Sequence, residues 1–373
     1  MDTPRSFLFT RLQPRVQPWH LATLYFSGFS AIGLLVLAGV LQPFLLEVFL
    51  GVPRHEQGSL TGTLTVVGEV VLLLAVGAWG VLNDQVGRRL VYALGFLFMA
   101  AGAILQPMAT SAVELGAIRC VSSIGIAATA GTLATLVADY VVDEDRGKAN
   151  GWLGVSNAMG AALAAGLVAR LPEVFRADLV AQGMDPAQAG LSAGWRIYSL
   201  LAVAALVCAV LVRMGLAGRE SEQASEQASL KQRAREGFAA ARRSRGVALA
   251  YVTAFVARAD LALAGLFLPL WCSRFLQDNP ETLAQISDAP AGCAEDVSCL
   301  TIQGMERGGL LIGMVGMGSL LSAPLLGILC DRINRIHATA IALSINVVGY
   351  GLTGFVSDPF GVMAIPVCVV IGA

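Results

Sequence analysis

The sequence predicts an all-α polytopic membrane protein with two pseudo-symmetric helix bundles around a central cavity. Three observations support this fold class. The 373 residues are 56% hydrophobic and only 14% charged, whereas soluble domains carry about 25% charged residues. Ten apolar segments have roughly the length that crosses a bilayer, about 20 residues. One short polar motif occurs in both halves of the chain, at residues 80–89 and 327–336.

The apolar segments predict the membrane-spanning helices one by one. They lie at residues 20–46, 58–82, 90–108, 112–137, 149–169, 194–216, 247–271, 304–330, 338–356 and 359–373. The first run is longer than the roughly 7–15 residues of a signal-peptide core, so we interpret it as a retained helix. The last run has 15 residues and no polar flank. We therefore expect the sequence to be a fragment or a truncated gene product.

A polar segment divides these helices into six and four. Residues 1–216 predict an N-terminal six-helix bundle, residues 217–246 a cytoplasmic linker, and residues 247–373 an incomplete bundle with four of six expected helices. With the N-terminus inside, 17 of the 25 Lys and Arg residues fall in cytoplasmic segments and 6 in outer segments. Basic residues are retained on the cytoplasmic side. We expect a multi-pass protein of a bacterial inner or other plasma membrane, with a cytoplasmic N-terminus.

The cysteines, histidines and net charge indicate neither a metal site nor a nucleic-acid interface. The 7 cysteines and 3 histidines are not grouped at the spacing that zinc ligands need. The formal net charge is −1, so no basic surface is predicted and we expect no cofactor. Cys293 and Cys299 lie in a long acidic loop on the predicted outer side. There they form either a disulfide or two free thiols.

The repeated motif is "GVLNDQVGRR" in the first half and "GILCDRINRI" in the second. Each copy follows the second predicted helix of its half, on the predicted cytoplasmic side. The identical positions are Gly80 and Gly327, Leu82 and Leu329, Asp84 and Asp331, and Arg88 and Arg335. Two copies at equivalent places predict two copies of one helical unit, which is a known plan of secondary transporters.

The first copy is similar to a loop signature of the major facilitator superfamily, G-x-L-x-D-x-x-G-R-[RK]. The matching residues are Gly80, Leu82, Asp84, Gly87, Arg88 and Arg89. The second copy departs from the signature at Asn334 and Ile336, so we expect Asp331 to contribute less than Asp84. The resemblance covers essentially the whole chain. It implies two six-helix halves that alternately open a central cavity to each side of the membrane.

The resemblance also implies that this loop takes part in gating. The residues concerned are Gly80, Asp84, Gly87, Arg88, Arg89, Arg146, Asp331 and Arg335. The two glycines of the first copy predict a tight turn and a close helix approach. Asp84 is placed to cap the helix that begins near Arg88, and a charge-assisted bond to Arg146 or another cytoplasmic arginine would stabilise one state. The alternative is that the arginines only anchor the loop in the cytoplasm.

Four ionisable residues stand out within predicted spans, where a charge costs at least about 2.5–3.5 kcal/mol on insertion scales. They are Glu69, Arg119, Arg258 and Asp260. In the resembled family, helices 1, 4, 7 and 10 line the cavity, which implies that the last three residues lie there. The carboxylates either carry a coupled proton or form static salt bridges, and the pairings Asp260–Arg119 and Glu69–Arg258 remain unranked. The arginines are candidates for binding an anionic substrate.

Tyr25 and Asn157 are weaker candidates for substrate contact, because such residues more often form hydrogen bonds between helices. The function predicted best is a secondary active transporter that moves a small solute by alternating access, with or without coupled protons. We expect a monomer whose partners are the solute and membrane lipid. The alternative is a non-transporting receptor or assembly protein on the same fold. No grouping of catalytic residue types predicts an enzyme.

Overall fold

Helices account for almost all of the fold. The computed structural model describes residues 6–218, 239–286, 292–333 and 335–372, so most of the predicted linker, residues 217–246, lies outside the described residues. The helices are α1 (Pro18–Val40), α2 (Gln42–Phe44), α3 (Arg54–Val86), α4 (Arg88–Leu105), α5 (Ala112–Tyr140), α6 (Arg146–Gly166), α7 (Leu171–Ala181), α8 (Pro186–Gly215), α9 (Arg245–Asp278), α10 (Val297–Arg332), α11 (Arg335–Thr353) and α12 (Ala364–Gly372). Two strands, β1 (Ser6–Phe7) and β2 (Thr10–Arg11), pair antiparallel before α1.

Seven helical segments within the described ranges are long and apolar enough to cross a membrane. They are Pro18–Val40, His55–Val86, Arg88–Met108, Ala112–Tyr140, Asp143–Ala181, Pro186–Gly215 and Ile336–Thr353. In the fifth, α6 alone has 21 residues. At about 1.5 Å per residue it is about 31 Å long, which matches the hydrocarbon core of a bilayer. We therefore place α7, which follows α6 after a short turn, beyond the membrane-spanning segment.

Two helix boundaries differ from the predicted ones for local reasons. The first predicted span, residues 20–46, is interrupted because α1 ends at Val40 and Pro43 lacks the amide hydrogen that would continue the helix. The sixth predicted span starts at residue 194, whereas α8 begins at Pro186. Asp185 accepts hydrogen bonds from two backbone amides of the first turn of α8, and this capping stabilises the earlier start.

The strand pair packs on the loop between α5 and α6. The Gln13 amide donates to the Tyr140 carbonyl over 2.9 Å, and the Val142 amide donates to the Arg11 carbonyl over 3.2 Å. The Asp145 carboxylate accepts from the backbone amide and the guanidinium Nε of Arg11, each over 2.9 Å. The hydrogen bond and charge of Asp145 raise the pKa of Arg11 above its ordinary value. We call this end of the bundle the hairpin face.

Two apolar cores lie at opposite ends of the bundle. The core near the hairpin face includes Tyr92 and Phe96 and, among the described residues, draws only on positions 7–217. The other core lies near α7, and we call that end the α7 face. It combines Tyr198 of α8 with Ile302 and Met305 of α10. The two halves of the chain therefore share packed apolar side chains at the α7 face.

Candidate functional site

A cavity of about 120 Å³ lies between α1, α3, α5 and α9. Its wall includes Glu69 of α3 and Arg119 of α5, so the structure brings together two of the four charged residues predicted from the sequence. Gly265 and Leu266 of α9 complete the wall. Since α9 belongs to the second half of the chain, the cavity lies between the two halves.

Three polar atoms on the wall of this cavity are buried without a hydrogen-bond partner. They are Nε of Arg119, Oγ of Ser122 and Oε1 of Gln106. Buried polar groups in native proteins are almost always satisfied by protein atoms, water or a ligand. A guanidinium, a hydroxyl and an amide oxygen offer both donors and acceptors. The wall is therefore suited to a polar solute that fills the cavity.

The other two predicted charges, Arg258 and Asp260, lie on α9. Their side chains are outside the described residues, so neither of the predicted pairings with Arg119 and Glu69 is tested. Both positions precede Gly265 of the cavity wall by one to two helical turns.

The two weaker candidates lie outside the described cavity wall. Tyr25 is buried in the core near the hairpin face. Asn157 of α6 lies against α1, where a Cβ placed on Gly28 would be 2.8 Å from its side-chain oxygen. Among the described residues, neither the Tyr25 hydroxyl nor Oδ1 of Asn157 has a hydrogen-bond partner, so the choice between interhelical hydrogen bonds and solute contact stays a prediction.

The loop motif has a geometry that differs in part from the prediction. Gly87 has a φ of +94°, a backbone angle that residues with a Cβ rarely adopt. It forms the predicted turn. The predicted close approach at Gly80 is wrong, because a Cβ there would meet no atom within 4 Å. Asp84 does not cap α4, because α3 continues through it to Val86 and Gly87 takes the N-cap position without a side-chain bond.

The motif arginines connect the beginning of α4 to two neighbouring helices. Arg88 forms an ion pair with Asp139 at the end of α5. Arg89 donates to the carbonyl of Arg213 near the end of α8. Arg146 binds Asp143 over 2.8 Å and the Ala138 carbonyl over 2.9 Å, and not Asp84. The alternative, a bond from Asp84 to another cytoplasmic arginine, stays a prediction.

A buried hydrogen-bonded pair that includes one motif residue was not predicted. Asn83 of α3 and Thr132 of α5 exchange hydrogen bonds of 3.1 and 3.2 Å. The pairing could not be inferred from sequence, because neither residue belongs to a charged or glycine position of the motif. In the second copy, Asp331 and Arg335 stand at the end of α10 and the start of α11, and their side chains lie outside the described residues.

Five charged side chains join the two halves at the α7 face, and we call them the α7-face cluster. They are Arg170, Glu173, Arg176, Asp296 and Glu306. Arg170 lies 2.8 Å from Glu306, and Arg176 forms an ion pair with Asp296. Burial acts to raise the pKa of Asp296, but hydrogen bonds from Ser298 and the charge of Arg176 outweigh it and lower that pKa. None of these five residues was singled out from the sequence.

Cys293 and Cys299 are joined by a disulfide near this cluster. The bond joins two positions six residues apart, where the loop leads into α10. It settles the alternative that the sequence left open in favour of the disulfide. The thiols of Cys120, Cys208, Cys272 and Cys368 are free.

A sequence model of the Major Facilitator Superfamily matches residues 21–373. The chain belongs to the major facilitator superfamily. The magnetosome protein MamH of Paramagnetospirillum magneticum is 23% identical over 90% of this chain and 71% of its own length. The magnetosome protein MamZ of Magnetospirillum gryphiswaldense is 24% identical over 99% of this chain. The chain spans 52% of that protein's length.

Solved transporters of the superfamily share its fold. The nucleoside transporter NupG has a TM-score of 0.64 at 12% identity, covering 94% of this chain and 79% of NupG. A D-xylose–proton symporter has a TM-score of 0.57 at 14% identity, covering 94% of this chain and 77% of the symporter. Together with the apolar helices, this superfamily fold makes the chain an integral, multi-pass membrane protein of a transporter family.

Proposed function

We propose that this superfamily member is a secondary active transporter that moves a small solute by alternating access of residues 1–216 against residues 247–373. The observation that carries the proposal is the cavity between the two halves, whose wall holds Glu69 and Arg119. An alternating-access site has to lie between two moving halves. A polar wall with unsatisfied groups is suited to a solute that binds and leaves.

The arrangement of the two ends of the bundle supports an assignment of the state that the structure represents. At the α7 face the halves share ion pairs and a core, whereas among the described residues the core at the hairpin face belongs to the first half alone. We assign the hairpin face to the cytoplasm, the α7 face to the outside, and six and four membrane spans to the two halves. The structure then corresponds to a state closed to the outside.

The loop motif is proposed to stabilise one state of the cycle. Arg88 and Arg89 connect the first turn of α4 to α5 and α8, so they stiffen the cytoplasmic end of the first half. We assign proton coupling within the cavity to Glu69 and, on the second half, to Asp260, which makes the protein a symporter or an antiporter. The chain acts as a monomer in lipid.

Uptake into proteoliposomes tests the transport proposal. The full chain is reconstituted and offered nucleosides, xylose and a panel of other small solutes, with and without a pH gradient. Arg119→Gln serves as the matched variant, because it keeps a hydrogen-bonding group on the side chain and removes its charge. We expect uptake of at least one solute that depends on Arg119. No uptake by a folded, inserted protein across the panel would contradict transport.

The names of the curated relatives favour a second candidate function. Both relatives described above are magnetosome proteins, and a membrane protein of an assembled structure need not transport. On this alternative the chain is a receptor or assembly protein that uses the same fold. It predicts a protein partner that co-purifies from mild detergent, and no solute uptake.

A further inference from the structure

The α7-face cluster carries unequal charge. Its three carboxylates face two guanidinium groups, so with every group ionised it holds one excess negative charge. Three of its side chains are largely withdrawn from water: the exposed fraction is 8% for Arg176, 12% for Glu173 and 26% for Asp296. Charge that is removed from water has to be balanced nearby or neutralised by a proton.

Glu173 is the carboxylate whose hydrogen bonds are least satisfied. Both of its oxygens are buried without a hydrogen-bond partner. In contrast, Asp296 accepts from Arg176, from Ser298 over 2.6 Å and from the amide of Cys299 over 3.3 Å. A carboxylate that loses its water without gaining donors is costly, whereas the neutral acid in the same place is much less so.

Two effects oppose protonation of Glu173. Nη1 of Arg176 lies 3.6 Å away, and the positive end of the α7 dipole favours an anion in the first turn of that helix. However, the same guanidinium is in direct contact with Asp296, so its charge is shared between two carboxylates. Asp296 stays ionised because its own pKa is lowered. The excess negative charge therefore falls on Glu173.

The other charged groups around Glu173 come from each packed element. Arg170, in the turn before α7, forms an ion pair with Glu306 of α10. From α8, Arg196 lies 3.9 Å from Asp178, and both of these side chains are about half exposed or more. Neither guanidinium is hydrogen-bonded to Glu173, whose oxygens have no such partner.

We propose that Glu173 is a proton-binding site of the α7 face, which takes up one proton as the two halves close there and releases it as they open. The proton adds to the carboxylate oxygen and brings the cluster from one excess negative charge to neutrality. The inference rests on the proposed alternating access, because it requires the halves to separate at this face. It places a proton-binding group outside the cavity, on α7, which we have placed beyond the membrane-spanning segment.

An acidic cavity adjoins the α7-face cluster at Asp296. A space of about 550 Å³ at this face is lined by Glu47, Asp185, Glu295 and Asp296. Asp185 and Glu295 are exposed, so the space communicates with solvent. A rim of carboxylates raises the local concentration of cations, protons included.

The direction of the pH effect follows from linkage. In the open state Glu173 is solvated and binds its proton as an ordinary glutamate does, at about pH 4.3. In the closed state it is buried and holds the proton more tightly. Lower pH at the α7 face therefore favours the closed state. Because one proton is involved, the closed-to-open ratio changes by at most about tenfold per pH unit.

Distance measurements on the full chain in lipid nanodiscs, without solute, test the proposal. Spin labels are attached at Gln182 after α7 and at Val362 before α12, both of which are exposed. The distance between the two labels is recorded from about pH 5 to about pH 9. This range includes the pKa values known for buried carboxyl groups. Glu173→Gln mimics the protonated acid, and Glu306→Gln is the matched control at a carboxylate that already has a donor.

We expect the closed population of the wild type to fall as the pH rises. Glu173→Gln should stay closed at every pH. Glu306→Gln should close less and still respond to pH, with its midpoint moved to lower pH, because the charge of Glu306 no longer raises the pKa of Glu173. An unchanged pH dependence in Glu173→Gln would overturn the proposal, because another group would then titrate. Opening of Glu173→Gln at every pH would also overturn it, because Glu173 would then act only as a partner of Arg176.

A second variant keeps the test decisive if Glu173→Gln does not fold. Glu173→Asp retains a titrating carboxyl group at a different depth, so the midpoint of the pH curve should shift. A curve that coincides with the wild type contradicts the proposal. Solute uptake that persists while all distances are independent of pH would overturn this site alone. Fixed distances together with no uptake would overturn the proposed transport as well.

Discussion

Replacement of Arg176 by glutamine is expected to open the α7 face. Breaking a fully buried ion pair by removal of one partner costs about 3–5 kcal/mol. The side chain of Arg176 is 8% exposed and that of Asp296 26% exposed. With a discount for this exposure we expect about 2–3 kcal/mol, which changes the closed-to-open ratio by about 30- to 160-fold.

The second ion pair of the cluster provides an internal comparison. Arg170 is 54% exposed and Glu306 27% exposed. Exposed pairs contribute about 1 kcal/mol or less, so Arg170→Gln should change the same ratio by no more than about fivefold.

The assay is the spin-label distance between Gln182 and Val362, measured in two double-mutant cycles. One cycle combines Arg176→Gln with Asp296→Asn, and the other combines Arg170→Gln with the Glu306 change to glutamine. Each cycle isolates the coupling within its pair. Equal coupling in the two cycles would refute the argument from burial, and no coupling in either would show that the cluster does not hold the halves together.

Three further predictions follow from single residues. Gly87→Ala should lower the thermal midpoint, because φ of +94° costs a side chain about 1–3 kcal/mol; Gly80→Ala, with open space around it, should not, and equal shifts would contradict the assignment of strain. Arg119→Gln should reduce solute uptake about tenfold or more, since a lost charge-assisted hydrogen bond costs about 1.5–3 kcal/mol; full uptake at equal insertion would exclude a role in binding. Asp145→Asn should speed tryptic cleavage after Arg11, whose backbone and side chain it binds; an unchanged cleavage rate would argue that the strand pair is held by its other contacts.

The helices and part of the cavity could be predicted because their causes are local. A run of apolar residues has few alternatives to a membrane helix, and the cost of a buried charge singled out Glu69 and Arg119 before their positions were known. Both lie on one cavity wall. The prediction that Asp84 caps α4 was wrong, because α3 continues through Asp84 to Val86. Gly87 alone forms the turn between the two helices.

The α7-face cluster could not be predicted for a different reason. Arg176 and Asp296 are 120 positions apart, and each lies in a polar segment that looks like an ordinary loop. Their partnership depends on how two helical halves meet, which no local pattern encodes. The lack of hydrogen-bond partners at Glu173 among the described residues is harder still to predict from sequence, because it depends on which neighbouring donors are already engaged.

The strand pair at the hairpin face has a consequence for the order of synthesis. Arg11 bonds to Asp145, 134 positions later in the chain. At a translation rate of about 5–20 residues per second, the early segment waits roughly 7 to 27 seconds for its partner. Helices α1 to α5 are by then made, so the strand pair can dock on the loop between α5 and α6 only after these helices have been synthesised. The N-terminal segment is therefore fixed to this loop while α6 to α8 of the first half are still being added.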